Sequence, residues 1–329
     1  MRRAEFRFVP LMLLALLGGC QEVQSVFAPH GPRAMEIAQL GRLLFAGGAI
    51  VLLVVCVAVW LAIRGGSSTR LRLASHSAVV VGGIVFPAVT LSALLGYDLW
   101  LTRTGVRAGT SPAIRIEVVG EQWWWRISYI GANGMRVASA NEIRIPVGEE
   151  IEFELKSTDV IHSFWVPSLG GKVDMIPGRT TRLRLRADRP GVFRGQCAEY
   201  CGGPHAWMAM SVIAMTAEDY RTWLSGESAP AGEPETDVTR RGRALFLAAG
   251  CGACHAVRGT QATGALGPDL THIGSRRAIG ADILPMTQTN LARFIVDGQI
   301  IKPGNRMPPF RIFSPDELDA VATYLHGLR

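Results

Sequence analysis

The sequence of 329 residues predicts a membrane-anchored multidomain protein with two transmembrane α-helices, a β-sandwich domain and an all-α domain at the C-terminus. Three observations support this fold class. Two apolar runs in the N-terminal third are each long enough to cross a bilayer as a helix. Short runs in which apolar and polar residues alternate occupy the middle of the chain. A helix-forming tail follows a segment that is rich in Pro, Gly, Ser and Glu.

The first 19 residues have the pattern of an export signal. Positively charged MRRAEFRF precedes VPLMLLALLGG, an apolar stretch that is too short to span a bilayer. Because Cys20 follows small residues in LGGC, we expect a lipoprotein signal at 1–19 and lipidation of Cys20 as the first residue of the mature chain. An uncleaved anchor and ordinary cleavage nearby are the alternatives.

The segment 20–109 contains the two predicted membrane spans, at about 43–63 and 78–101. The loop between them carries Arg64, Arg70 and Arg72 and no acidic residue. Because cytoplasmic loops are enriched in arginine and lysine, this loop is expected in the cytoplasm. Both soluble domains are then expected on the periplasmic side of a bacterial inner membrane.

The net charge of +7 and the sequence pI of about 9.4 do not indicate a nucleic-acid partner. No run of basic residues interleaved with aromatic residues occurs in the sequence, and such a run is the usual footprint of nucleic-acid binding.

The middle domain, 110–224, is predicted to be an antiparallel β-sandwich or barrel. Its alternating runs are separated by Gly, Pro, Asn and Asp, and they lie at 113–119, 141–147, 150–157, 181–187 and 210–215. Trp123, Trp124 and Trp125 are consecutive, so they cannot all face one core if they lie on a strand.

A set of soft metal-ligand residues falls within this domain. Cys197 and Cys201 are four residues apart, His205 follows after four more and Met208 after three, while His162 lies upstream. Thiolates, imidazoles and a thioether suit copper better than calcium or magnesium. Two thiolates can bridge two copper ions, which spreads an electron over both metals and suits electron transfer. A Cys197–Cys201 disulfide and a structural zinc site are the alternatives.

These motifs, HSFWVPSLGGKVDMIPGR and GVFRGQCAEYCGGPHAWM, resemble subunit II of haem-copper cytochrome c oxidases over residues 21–224. The resemblance implies a cupredoxin fold with a dinuclear copper centre, CuA, and a magnesium ion bound by the Glu199 carboxylate at the boundary with the catalytic subunit. The implied copper ligands are His162, Cys197, Cys201, His205, Met208 and the backbone carbonyl of Glu199.

The same resemblance gives Trp123, in GEQWWWRISY, the role of accepting electrons from cytochrome c, with aromatic packing as the alternative. Asp174 and Arg179 match positions near the catalytic subunit. The chain departs from the family at the start of the second span, where SHSAVVVGGIVFP contains no carboxylate. The family's proton-entry role is therefore not carried over to this chain, and His76 or another subunit is the alternative for it.

The tail begins after a predicted flexible linker at 225–237 and contains CGACH, with Cys251, Cys254 and His255. This spacing is the attachment signature of c-type haem, in which the thiols bind the porphyrin and the histidine binds the iron. A redox dithiol or half of a zinc site would also show two cysteines at this spacing.

Residues 238–329 resemble a class I cytochrome c domain. We expect Met307, in MPPF, to be the sixth iron ligand, with Met286 and His272 as competitors. Ser314, Pro315 and Glu317 form the pattern of a capping box at the start of a last helix.

The fused arrangement resembles the caa-type oxidases. It implies an electron-transfer subunit that passes electrons from a covalently bound haem c to dinuclear copper, and on to a catalytic subunit I that reduces oxygen to water. Other oxidase subunits are expected partners, and a soluble or membrane-bound cytochrome c or a bc-type complex is a candidate donor. The alternatives are a CuA subunit of a nitric oxide reductase and a copper storage or delivery module.

The charge of the middle domain bears on the donor. Residues 110–225 contain 13 Lys and Arg against 13 Asp and Glu, so this domain lacks the acidic field that would attract a basic soluble cytochrome. A tethered haem has an effective concentration on the order of millimolar. The hypothesis is that the tethered haem is the obligatory donor.

Overall fold

A computed structural model describes residues 24–106, 114–131 and 134–329 of the chain. The predicted signal at 1–19 and the lipidation site at Cys20 lie outside the described residues. The chain divides into a helical unit, 35–111, and a larger unit that contains 1–34 and 112–329.

The helical unit is built from α1 (Pro32–Arg64), α2 (Ser67–Leu73), α3 (His76–Val80), a π-helical turn (Val81–Val85) and α4 (Phe86–Val106). Two helices, Pro32–Arg64 and His76–Leu101, are long and apolar enough to cross a membrane, and they contain the two predicted spans. The π-helical turn lies just before Pro87, a residue that has no backbone N–H to donate to a carbonyl in that turn. The predicted loop between the spans contains the short helix α2.

Ten strands form two five-stranded sheets. The first sheet contains β1 (Ile114–Glu121), β2 (Trp124–Ile130), β3 (Arg136–Ala140), β5 (Ile151–Ser157) and β8 (Thr181–Leu185), in the order β3-β2-β1-β5-β8. The second contains β4 (Glu142–Pro146), β6 (His162–Trp165), β7 (Val173–Met175), β9 (Gly191–Cys197) and β10 (Ala209–Met215), in the order β4-β10-β9-β6-β7. All five predicted alternating runs are strands.

Alternation explains how the two sheets form one core. In β5, Ile151, Phe153 and Leu155 are fully buried, while the residues between them are partly exposed. They belong to the same apolar cluster as Ile143 of β4 and Val212 of β10, so residues from both sheets fill the space between them. A sandwich is therefore confirmed.

The expectation of a purely antiparallel sandwich is wrong. β1 pairs with β5 in parallel, and β10 pairs with β4 in parallel. Each of these pairs is connected through other strands, and local alternation carries no information about such long-range partners.

The C-terminal part is helical apart from one small ladder. Helix α5 (Ala217–Ser228) follows the sheets, and after it come α6 (Asp237–Ala248), α7 (Gln288–Ile301) and α8 (Pro315–Gly327). The ladder pairs β11 (Ala278–Ile279) with β12 (Leu284–Pro285) and was not predicted. Ser314 and Glu317 form the predicted capping box at the start of α8.

The segment predicted as a linker is partly helical and makes contacts with the tail. Helix α5 continues through Ser228, and the Glu227 side chain is buried. The N–H of Ala231 donates to the carbonyl of Arg258, at 2.9 Å, and the Glu233 carboxylate pairs with Arg243, at 2.6 Å. These contacts hold the segment against the C-terminal domain.

Candidate metal centre and haem cavity

The predicted copper ligands lie together at one end of the second sheet. Phe164 of β6 is opposite Cys197 of β9, and this pairing brings the start of β6 next to the end of β9. The loop from β9 to β10 then folds back, because the N–H of Cys197 donates to the carbonyl of Met208, at 2.9 Å. Along this path the structure places His162 at the start of β6, Cys197 at the end of β9, and Cys201, His205 and Met208 in the loop.

Two thiols and two imidazoles converge at this end. The sulfur atoms of Cys197 and Cys201 are 3.8 Å apart, far beyond the disulfide bond length of about 2.05 Å. Nδ1 of His162 lies 3.8 Å from the Cys197 sulfur, and Nδ1 of His205 lies 3.4 Å from the Cys201 sulfur. Each sulfur therefore has one imidazole beside it.

Two further donor atoms complete the set. The Met208 sulfur lies 3.9 Å from the Cys201 sulfur, and the Glu199 carbonyl accepts a hydrogen bond from the Cys197 thiol, at 3.2 Å. Cys197, Cys201 and Met208 are buried. This donor chemistry fits copper, because a set of two thiols, two imidazoles and a thioether is unusual for zinc and unsuited to hard cations.

The contact between the Cys197 and Cys201 thiols favours deprotonation of one of them. The contact with the Cys201 side chain lowers the pKa of Cys197 to about 4, although burial opposes the shift. One thiolate is therefore available at neutral pH, and the pKa of Cys201 is raised because a second charge would lie beside the first. Binding of a metal would remove the second proton as well.

Asp159, which the sequence analysis missed, orients one imidazole. Its Oδ1 lies 2.8 Å from Nε2 of His162, so that Nδ1 of the ring faces Cys197. Burial raises the pKa of Asp159, but hydrogen bonds from His162 and from the N–H groups of Gln122 and Val160 lower it overall. A carboxylate behind a ligating histidine is a common outer-shell arrangement. The sequence feature that could have indicated this role is the position of Asp159, three residues before His162.

Gly120 in β1 makes room for the same imidazole. A Cβ atom at this position would lie 2.8 Å from Cδ2 and 2.9 Å from Cγ of His162, which is fully buried. The ring could not move away without leaving Asp159 or the sulfur atoms.

We therefore expect the Gly120→Ala variant to bind copper at least about tenfold more weakly, the lower end of the losses seen when ligand support is disturbed. Competition with a copper chelator would measure this. Gly226→Ala is the control, because its Cβ would meet no atom within 4 Å in helix α5, and it should bind copper normally. Equal copper affinity in the two variants would contradict this role for Gly120.

The Glu199 carboxylate lies apart from the sulfur atoms. It is exposed and lies 3.4 Å from Nζ of Lys172, which is also 3.9 Å from the Asp174 carboxylate. The Glu199 carbonyl therefore faces the Cys197 sulfur, whereas the Glu199 carboxylate lies beside Lys172. Arg179 closes a turn nearby, where its N–H donates to the carbonyl of Ile176, at 3.0 Å.

The CGACH motif follows α6 and borders a cavity of about 410 Å³. Cys251, Cys254, His255 and Met307 all line this cavity, and both cysteines have free thiols. Nδ1 of His255 lies 2.8 Å from the carbonyl of Pro268, which leaves Nε2 for an iron ion. Burial lowers the pKa of His255, which favours the neutral ligand form.

The walls of the cavity fit a haem. Apolar residues such as Phe246, Leu270 and Leu291 line it, and they suit a porphyrin. Arg276 also lines it, is only 9% exposed, and its Nε makes no hydrogen bond within the described residues. An unpaired guanidinium nitrogen suits the carboxylates of a haem. The residues present therefore fit this group.

The two competitors of Met307 do not line the cavity. Nε2 of His272 hydrogen-bonds to the carbonyl of Ala229, at 3.0 Å, and Met286 packs against the apolar core of the domain. Of the three candidates for the sixth ligand, Met307 therefore has the placement that the role requires.

Trp123 joins the two sites. Its indole Nε1 donates to the carbonyl of Cys201, at 2.9 Å, and the residue lines the haem cavity together with Gln122 and Trp124. Trp125 is fully buried in the sandwich core, whereas Trp123 and Trp124 are partly exposed. The expectation that the three tryptophans do not share one core is confirmed.

Lys302 was missed because no sequence pattern marks it. It follows α7 and lies 3% exposed between the copper-ligand end of the sandwich and the haem cavity. Desolvation lowers the pKa of Lys302 to about 7, while the nearby Cys201 opposes the shift.

Comparisons with known proteins identify the two domains in which these residues lie. The family model "Cytochrome C oxidase subunit II, periplasmic domain" matches residues 130–215, and the model "Cytochrome c" matches residues 239–329. Cytochrome c oxidase subunit 2 of Alkalihalophilus pseudofirmus is 35% identical, over 98% of this chain and 97% of that protein. The subunit of the same name in Bacillus subtilis is 29% identical, over 75% of this chain and 70% of that protein.

Among solved structures, the periplasmic domain of subunit II of cytochrome oxidase from Bradyrhizobium japonicum is similar to part of the chain. Its sequence is 29% identical, and the match covers 36% of this chain and 95% of that domain with a TM-score of 0.34.

Proposed function

Because this chain belongs to the cytochrome c oxidase subunit 2 family and has a fused cytochrome c domain, as in caa-type oxidases, we propose that its two sites form one electron path. The chain is an electron-transfer subunit of a haem-copper oxidase complex. Membership implies copper, haem c and association with other oxidase subunits such as subunit I. Oxygen reduction belongs to the complex, since the seven histidines of this chain supply no oxygen-binding haem and copper centre.

In the proposed path, electrons pass from haem c to a dinuclear CuA centre and then to subunit I. The observation that carries this proposal is the position of Trp123, which lines the haem cavity and whose indole donates to the carbonyl of Cys201. The copper ligands would be His162, Cys197, Cys201, His205, Met208 and the carbonyl of Glu199. Cys251 and Cys254 would attach the haem, and His255 and Met307 would hold the iron.

The bound groups would supply reversible one-electron redox chemistry. The residues of this chain keep those groups in place and exclude water. Asp159 orients His162, the Pro268 carbonyl orients His255, and burial of both cysteines shields the sulfur atoms. No side chain needs to transfer a proton for this task.

The boundary with subunit I is proposed at the exposed Glu199 carboxylate, which would bind a magnesium ion there. Lys172 and Asp174 lie beside it and give the surface an alternating charge pattern. The two apolar helices are proposed as a two-pass anchor that leaves both soluble domains in the periplasm, and Cys20 as a lipid attachment site.

Metal content and spectra of the purified complex test the proposal. We expect two copper ions and one covalent haem c per chain, with the electron paramagnetic resonance signal of an electron shared by two coppers. Fewer than two coppers per chain after full loading, together with a Cys197–Cys201 disulfide, would contradict it.

The tethered haem is proposed as the obligatory donor, because the C-terminal domain covers the edge of the copper-binding domain that carries Trp123, here called the Trp123 edge. Arg306 of that domain donates to Gln122, at 2.7 Å, and Arg126 donates to the carbonyl of Ala265, at 2.7 Å. Deletion of residues 226–329 should remove most turnover with a soluble cytochrome at physiological salt. Full turnover after this deletion would refute the obligatory role.

A further inference from the structure

Lys302 is an unusual residue for its position. Only three of the 34 basic residues in the chain are lysines, and this one is almost completely buried. Within the described residues it forms no ion pair with a carboxylate. Burial of an ammonium group without a counter-charge opposes folding, so a positional role is a better explanation for it than overall stability.

The Lys302 ammonium makes three hydrogen bonds, and two of them cross between the domains. Nζ donates to the carbonyls of Trp123, at 2.6 Å, and Trp207, at 2.9 Å, which both belong to the copper-binding domain. The third bond goes to the carbonyl of Gly280 in the haem-binding domain, at 3.0 Å. All three donors of the ammonium are therefore satisfied.

The two carbonyls across the boundary belong to functionally important segments. Trp123 contacts Cys201 through its indole and lines the haem cavity. Trp207 immediately precedes Met208 in the copper loop. One side chain of the haem-binding domain thus joins the β1–β2 turn to the loop that carries the metal ligands.

The chemistry of lysine suits this position better than that of arginine. Three carbonyl oxygens converge on one point, and an ammonium group is compact with three rotatable donors. A planar guanidinium has a fixed fork of five donors and would leave several of them unpaired in this buried space.

Other contacts between the domains are partly buried and partly exposed. The Arg277 N–H donates to the buried Glu142 carboxylate, at 2.8 Å, and the Ser211 hydroxyl lies 3.2 Å from the Asp282 carboxylate. The Arg306 side chain that reaches Gln122 is 65% exposed, and Arg194, which pairs with Asp282 at 2.9 Å, is 38% exposed. Exposed ion pairs contribute little and are screened by salt. The buried Lys302 ammonium reaches both the β1–β2 turn and the loop that carries the metal ligands, so its contacts are well placed to set the distance between the two sites.

We propose that Lys302 is a positioning residue that fixes the haem-binding domain on the Trp123 edge of the copper-binding domain, and thereby favours the tethered haem over soluble cytochromes as donor. This rests on the proposed electron path. Each transfer would move one electron from the haem iron to the copper pair and would require no proton from Lys302.

The test uses the purified, fully loaded oxidase complex with Lys302→Met. Arg293→Met is the matched control, because Arg293 is an exposed cation on α7 of the same domain. We expect both variants to keep their haem and copper spectra. In Lys302→Met, electron transfer from photoreduced haem to copper should slow at least tenfold, while a soluble basic cytochrome c should reduce the copper faster than in the control.

A second readout is independent of turnover. Amide hydrogen exchange around Trp123 and Trp207 should increase in Lys302→Met and stay unchanged in Arg293→Met. Lys302→Arg should behave like Lys302→Met, and Lys302→Gln, which keeps two N–H donors, should be intermediate.

The outcomes separate this inference from the proposed function. Unchanged transfer and unchanged exchange in Lys302→Met would overturn the role of Lys302. Loss of the haem or copper spectrum in both Lys302→Met and Lys302→Gln would also overturn it, since Lys302 would then support folding of a site. Failure of the unmodified complex to pass electrons from haem to copper would instead refute the proposed path.

Discussion

Replacement of Cys201 by serine is expected to abolish the copper centre and to reduce oxidase turnover by more than the roughly 100-fold that loss of an outer-shell partner can cost. Cys201 is the hub of the site, because its sulfur lies within 3.9 Å of the Cys197 and Met208 sulfurs and within 3.4 Å of Nδ1 of His205. A serine hydroxyl is a hard, weakly acidic donor, so it cannot bridge two soft metal ions.

Copper analysis and electron paramagnetic resonance of the purified complex would measure this effect. Cys56→Ser provides the matched control, since Cys56 is an exposed cysteine in α1 and the same atom is exchanged there. It should retain normal copper content and turnover. A Cys201→Ser complex that keeps two coppers and the shared-electron signal would rule out the bridging role.

Replacement of Met307 by alanine should convert the haem to a form without a sulfur ligand. Methionine as the partner of histidine raises the haem potential. We therefore expect the haem reduction potential to fall by an amount on the order of 100 mV or more, within the roughly 0.8 V range that axial ligands set. Turnover should decrease because external donors would then reduce this haem less readily.

Met286→Ala distinguishes a ligand from a packing residue. Met286 packs in the same apolar core but does not line the cavity, so its loss should lower domain stability and leave the haem potential and spectrum unchanged. Redox titration with optical detection would compare the two variants. If Met286→Ala, and not Met307→Ala, removed the sulfur-ligand spectrum, the assignment of Met307 would be wrong.

Residues that are close in the sequence made much of the metal centre predictable. Cys197 ends β9, and Cys201, His205 and Met208 lie in the loop that follows it, so their spacing in the sequence alone indicates a soft metal site. His162 was added to this set as an upstream imidazole. It lies 35 residues before Cys197, and the pairing of β6 with β9 explains why the two meet. The five strands with regular alternation were found for a similar local reason.

Features that depend on distant segments could not be predicted. The strands β6 and β7 are short, and β9 contains two glycines, so none of these three strands shows clear alternation. β1 and β5 pair in parallel although three other strands separate them in the sequence, so local alternation cannot indicate this pairing. Lys302 bonds to Trp123, 179 residues away, and a lysine after a helix has no local feature that would suggest this contact.

The buried contact between Lys302 and the carbonyls of Trp123 and Trp207 also has a consequence for ionic strength. Pairs of soluble redox proteins find each other through long-range charge attraction, which is screened beyond about 8 Å at physiological ionic strength. Here the donor is attached to the acceptor, and no encounter is needed. The transfer from the tethered haem to the copper site should therefore tolerate wide changes in external salinity that would slow the same transfer from a diffusing carrier.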